Sequence, residues 1–328
     1  MAGGIESGAA TVDRPWWRRH LGQLLALACL AVVVALAVLA IARDRAAFSA
    51  ALAQIGWGSI ALSTGFGLAA IAATYGIWVC SLASLEARLP VADAIPAFFV
   101  SQLGKYLPGS VWPVLAQMEA GHRSGVRRRT MLSGNLLTLA VSLAVGALVA
   151  CALLPLGSRA ALERFWWLFL ALPVLLAMLH PRILPALMDR LFRLARRPPL
   201  DQRLRTRDLL RAVAWTLFYW ALLGTHIAVL CWGLGLRGGS VLVLSSGAMA
   251  LAVTVGVLFV PVPAGAGLRE GALVLALAPV LTAGQGLAVA IVSRVELIVV
   301  DLVLAGGALA VRAALRRRPV ASRAAEPG

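Results

Sequence analysis

The feature that most constrains this chain is its succession of apolar runs, too long and too numerous for the core of a soluble domain. Leu21 to Ala42 carries no charge, and comparable runs cover 55–85, 131–156 and 212–236. A run of about 18 or more apolar residues is long enough to cross a bilayer as a helix. With 61% hydrophobic and only 13% charged residues, the composition lies outside the range of ordinary soluble domains. The expected fold class is all-α: a polytopic integral membrane protein with about 6 spanning helices. Two further segments, 94–120 and 241–280, read as broken, re-entrant helical hairpins, which brings the hydrophobic segments to eight or more.

Charge then sets orientation. The formal net charge is +16, but the arginines cluster beside apolar runs, as the positive-inside rule expects, rather than on a face for nucleic acid. Gly121–Thr130 holds Arg123, Arg127, Arg128 and Arg129, and 181–211 holds nine arginines against three aspartates. These loops and both termini are expected on the cytoplasmic side of the inner (plasma) membrane, with 43–54, 157–164 and 237–240 outside. Residues 1–15 and 319–328 read as disordered tails around one membrane domain, 16–318. Ala40-Ile41-Ala42 resembles a cleavage site, but the run before it is too long for a signal peptide, so an uncleaved first helix is expected.

The two broken elements carry the chemistry. The first, FFVSQLGKYLPGSVW, contains Lys105, the only lysine among 30 basic residues, followed by Tyr106 and then Pro108 and Gly109. The second, PVPAGAGLREG, places Pro263, Gly265 and Gly267 just before Arg269 and Glu270. Proline removes a backbone donor and glycine frees the chain to turn. Lipid cannot satisfy the exposed backbone groups, so both breaks must face protein or a watery cavity. Each half reads as span, broken hairpin, span (about 55–156 and 212–311), and the two hairpins start from opposite sides. That order implies an inverted repeat, an architecture of transporters.

Arg294, Glu296 and Asp301 lie in the last span. Arg294 and Asp301 are two turns apart on one face, a spacing that suggests a pair, while Glu296 points about 200° from Arg294. Ionisable groups in hydrocarbon need partners or a polar cavity. Lys105 and Arg269, each beside a helix break, are suited to hold an anion together with free amides. Glycines at 56, 58, 65, 67 and 76 are expected to let the second span approach its neighbours closely.

No catalytic set is visible. There is no acidic pair and no nucleophile–base spacing, and GAGLREG lacks the strand and Lys-Ser/Thr of a P-loop. The cysteines and histidines are scattered without metal spacing, so no metal or cofactor is expected.

The motifs SQLGKYLPGSVW, GHRSGVRRRT and VPVPAGAGLREGALV, with a final helix bearing Arg294, together resemble the lysylphosphatidylglycerol synthase transmembrane region family. The resemblance runs from about residue 20 to 312. It implies a flippase-like protein that moves an anionic phospholipid or lipid-linked carrier between leaflets. No cytosolic synthase domain is expected after the last helix, so synthase activity is not implied. On this reading Lys105, Arg269 and Arg294 hold a phosphate, and Glu270 and Asp301 orient or neutralise the cations. Tyr106, Pro108, Gly109, Pro263, Gly265 and Gly267 shape the breaks. Two other readings remain open: a small-solute transporter or channel, and a membrane partner of a lipid-modifying enzyme.

Overall fold

The computed structural model describes residues 45–107, 111–180, 204–258 and 265–317, with isolated positions between 183 and 193. The expected first helix at 21–42, both tails, Pro108, Gly109 and Pro263 lie outside the described residues. So does most of the 181–203 loop. The described residues are helical, with no strand among them.

The helix α1 (Arg45–Ser84) begins earlier than expected, because 45–55 is itself helical. Gly56, with φ of 71°, kinks the helix there, and Ala51 and Ile55 bury the preceding segment against the core. Hairpin one follows as α2 (Val91–Gln102), a 3-10 turn (Leu103–Tyr106) and α3 (Trp112–Arg123). Each limb has 12 residues, about 18 Å at 1.5 Å per residue, too short to cross a hydrocarbon core. Next come α4 (Arg128–Leu153), the short α5 (Arg159–Phe165) and α6 (Leu172–Leu179). The long α7 (Thr206–Gly233) starts six residues before the expected apolar run, since its polar first two turns carry Asp208 and Arg211 beyond the apolar stretch.

Hairpin two is asymmetric. Its first limb, α8 (Gly239–Leu258), has 20 residues and is long and apolar enough to span the membrane alone, whereas the return limb, α9 (Leu268–Leu277), has 10. The last helix, α10 (Ala283–Arg317), has 35 residues. Among the described residues five helical stretches meet the length and apolarity of a span, one of them the run Arg159–Ala177 that joins α5 to α6 through a 3-10 segment; α10 is not among them, because its central charges dilute an otherwise apolar helix.

The core is built on α1 packed along α7, with α8 between α7 and α4. Of the α1 glycines, Gly67 and Gly76 do allow close approach, to Leu297 and His226 and to Trp215, while Gly58 and Gly65 face open space. Hairpin one is fastened to α1 by aromatic packing. Tyr75, Trp78, Phe98 and Phe99 meet edge to face, tilted or, for Tyr75 and Phe99, stacked, at centroid distances of 5.2–6.1 Å. Trp78 Nε1 donates to Asn135 Oδ1 on α4 at 2.9 Å, which gives the indole a partner. Gln117 donates to Ser101 at 2.8 Å and joins the two limbs.

The hairpins start from opposite ends of α4. The open end of hairpin one lies beside Arg128, whose guanidinium reaches Glu119 at 2.8 Å. The start of α8 lies instead against Pro155–Gly157, beyond the far end of α4. The contact between α4 and α8 is tight: a Cβ on Gly247 would lie 2.7 Å from Leu154 Cα. Backbone cannot swing aside as a side chain can, so Gly247→Val should cost roughly 1–3 kcal/mol or more by overpacking. Thermal unfolding in detergent should show the lowered midpoint, whereas Gly58→Ala, in open space, should leave it nearly unchanged.

Candidate functional site

The site forms where both hairpins meet α10. This helix carries Arg294 and Asp301 about 10 Å apart along its axis, at seven residues' rise. The expected pairing between these two is corrected by the structure, because each charge serves a different hairpin. Asp301, with a side chain only 2% exposed, receives Lys105 Nζ at 2.7 Å and the Tyr106 hydroxyl at 2.5 Å, both from the tip of hairpin one. Arg294 Nη1 lies 3.4 Å from Glu270 Oε1 on hairpin two. Two turns of helix are too long a gap for a direct bond, and the neighbouring hairpins supply nearer partners.

Local sequence explains how each group is held. The 3-10 turn of Leu103–Tyr106 is tighter than an α-helix and places two successive side chains on α10. Gly104 lets that turn lie against Trp112 and Pro113. On the other side, Gly265 and Gly267 have φ of 63° and 79°, a conformation that side chains resist. Gly265 also sits directly against Gly256 of α8. Glu270, at the third position of α9, accepts a hydrogen bond from the Gly267 amide, so one carboxylate both caps the short helix and faces Arg294.

Arg269 stands apart from these pairs. It is half-buried, it forms no ion pair among the described residues, and its hydrogen-bond partner is the sulfur of Met249 at 3.9 Å. Its charge lies within electrostatic range of Arg294, Glu270, Tyr106 and Tyr219, and of Lys105. The structure thus brings together Lys105, Tyr106, Arg269, Glu270, Arg294 and Asp301, with Gly265 and Gly267 beside them. Pro108, Gly109 and Pro263 fall outside the described residues. Tyr219 and Met249 are site neighbours that the sequence did not mark; nothing in their apolar surroundings distinguishes them from core residues.

A cavity of about 780 Å³ opens beside this centre, between the limbs of hairpin one and the end of α10. Pro96, Val100, Leu115 and Leu309 give it apolar walls, and Gly104, Asp93, Glu119, Arg123 and Arg312 line it as well. The Nε of Arg312 is buried without a hydrogen-bond partner among the described residues. Glu119 sits at the exposed margin, held by Arg128 and by Arg123 at 3.2 Å. The hydrogen bond from Arg128, then that from Arg123, holds its carboxyl below the usual range. This fastening is present at neutral pH and weakens as pH falls through that lowered value.

The arrangement is a helical membrane domain in which two interrupted hairpins present cations and acids around a central helix. A family model described as "Lysylphosphatidylglycerol synthase TM region" matches residues 24–305, and the chain belongs to that family. A search of curated proteins gives no match.

The Lys105–Asp301 contact should dominate the stability of the hairpin tip. Removing one partner of a buried pair costs about 3–5 kcal/mol, and Lys105 is 32% exposed, so Lys105→Met should fall toward the lower end. The double variant Lys105→Met/Asp301→Leu should recover much of the loss, since no lone charge remains. A double-mutant cycle on detergent unfolding midpoints would check this, and strict additivity would refute the coupling.

Proposed function

We propose that the protein binds an anionic lipid or lipid-linked carrier by its phosphate and moves it between leaflets of the inner membrane. On this reading it is not an enzyme, and both termini are cytoplasmic. The observation that carries the proposal is Arg269, a half-buried guanidinium with no carboxylate partner among the described residues, set among cations that have one. A desolvated cation of this kind is costly unless an anion visits it. Guanidinium suits phosphate because its fork of donors matches the oxygens.

The paired cations have a second use. Lys105 and Arg294 are held by Asp301 and Glu270, so a phosphate must compete with an acid for each. That competition keeps binding weak enough for release. The cavity between hairpin one and α10 supplies apolar walls for acyl chains, with Arg123 and Arg312 in its lining for a headgroup. Membership of a family named for a lipid synthase's membrane region is in keeping with a lipid substrate. The two hairpins, each fastened to α10 from its own side, would act as the moving halves of an inverted repeat.

Reconstitution into vesicles with labelled phosphatidylglycerol and an impermeant quencher tests the reading. Wild type should speed leaflet exchange over empty vesicles. Arg269→Gln should lose one charge-assisted bond of roughly 1.5–3 kcal/mol, weakening lipid binding about tenfold to a hundredfold. Equal exchange by wild type and Arg269→Gln would show that Arg269 has no part in it. Exchange no faster than in empty vesicles would favour a small-solute transporter or a partner of a lipid-modifying enzyme.

A further inference from the structure

A second polar cluster lies deeper in the protein, where α1, α7 and α10 meet, and the site above does not use it. Glu296 is 5% exposed and His226 fully buried. The Ser63 hydroxyl donates to Glu296 Oε2 at 2.5 Å. His226 Nδ1 is 2.9 Å from the Ser63 carbonyl and 3.5 Å from Glu296 Oε2, while Nε2 is 2.8 Å from the Ser293 hydroxyl. Glu296 Oε1 is buried with no hydrogen-bond partner among the described residues. Gly67 permits this convergence, since a Cβ there would meet Leu297 at 3.2 Å and His226 at 3.4 Å.

The bond pattern fixes the protons. A carbonyl only accepts, so Nδ1 of His226 carries hydrogen and donates to Ser63. In the neutral ring Nε2 is then the acceptor, and the Ser293 hydroxyl donates to it. A structural ion pair would turn the Nδ1 hydrogen to the carboxylate, but here it goes to the nearer carbonyl. An ionised Glu296 would have the Ser63 hydroxyl, a nearby Thr64 hydroxyl that is turned to the Ile60 carbonyl, and an orphaned oxygen in a dry interior, which is strongly unfavourable. The arrangement suits a neutral acid, with its proton on Oε1, poised to be lost when the surroundings supply positive charge.

We propose that Glu296, with His226, Ser63 and Ser293, is a proton-binding site whose occupancy is linked to anionic ligand binding at Arg269. The link rests on the lipid reading above; the proton site does not. The helix α9, which carries Arg269, packs on α10, which carries Glu296, and the charge of Arg269 reaches His226. A phosphate at Arg269 offsets that positive charge and makes proton uptake by the cluster easier. By reciprocity, uptake of a proton strengthens phosphate binding. Other charges facing α10 are Lys105 on hairpin one, with the Tyr106 hydroxyl, and Glu270 beside Arg269 on hairpin two. Arg294 and Asp301 lie on α10 itself, and the facing stretch of α1, residues 60–70, carries no ionisable group. Lys105 and Arg294 are already matched by acids and do not change charge in the cycle. The step is a proton added to, or lost from, Oε1, with no other bond made or broken.

Infrared difference spectra of the reconstituted full-length protein, recorded across a pH titration, test the site directly. A protonated-carboxyl band should disappear as pH rises, and this component should be missing in Glu296→Gln, a near-isosteric change. His226→Gln and Ser63→Ala should shift its midpoint without removing it. A titrating band that persists unchanged in Glu296→Gln, or no such band in wild type, overturns the proton site. For the link, binding of labelled phosphatidylglycerol in nanodiscs should strengthen by up to about tenfold per pH unit on acidification through the midpoint. Glu296→Gln should bind it with no such dependence. Binding that ignores pH in wild type overturns the link. No binding at any pH would instead defeat the lipid reading, while the infrared result still decides the proton site.

Discussion

The structure depends on the cost of placing charge inside a membrane. Asp301 sits midway along a 35-residue helix with a side chain almost wholly buried, and it could not remain ionised there alone. Lys105 and Tyr106 answer that charge, and to do so the chain brings a short, interrupted hairpin into the centre. The ion pair and the break are therefore one device. The break allows the tip to present its ammonium, and the ammonium gives the irregular tip a fixed place against protein. Hairpin two repeats the logic with opposite polarity, Glu270 approaching Arg294.

This arrangement leaves cations graded by how fully they are matched. Among the described residues Lys105 has a carboxylate at 2.7 Å, Arg294 one at 3.4 Å, and Arg269 a thioether sulfur. An anion brought to this centre would bind Arg269 at the lower cost, because Lys105 and Arg294 must each give up a carboxylate. Glycine sets the distances that make this grading possible. Gly265 against Gly256 brings the start of α9 to α8, and any side chain there would push Arg269 away from the centre.

Two acids on the same helix show how surroundings decide chemistry. Asp301 and Glu296 are five residues apart, about 140° around the helix, so they face different neighbours. Asp301 meets an ammonium and a phenol and serves as a fixed anion. Glu296 meets a serine hydroxyl and an imidazole whose hydrogen is directed elsewhere, and it suits a neutral acid. Such a difference cannot be built from helix position alone. It comes from α1 and α7, whose small residues let a hydroxyl and a ring reach the final helix.

By itself, the sequence determined the class of structure. Apolar length forces helices, and Pro and Gly among apolar residues mark where they break, so the all-α membrane fold and both interrupted segments were legible. The gathering of Lys105, Arg269, Glu270, Arg294 and Asp301 was also suggested, since isolated charges in hydrocarbon must find each other. Tertiary structure alone decided the partners. Arg294 and Asp301 share a face and invited pairing, yet a direct bond over two turns is out of reach and each took a partner from a different hairpin. His226 and Ser63 gave no sign of joining Glu296, because contacts between residues far apart in the chain, 233 positions for Ser63 and Glu296, leave no local pattern. Even the kink at Gly56 and the full-length first limb of hairpin two depended on packing. Local composition states which backbones are affordable in lipid, and only the assembled helices determine which charges come within reach.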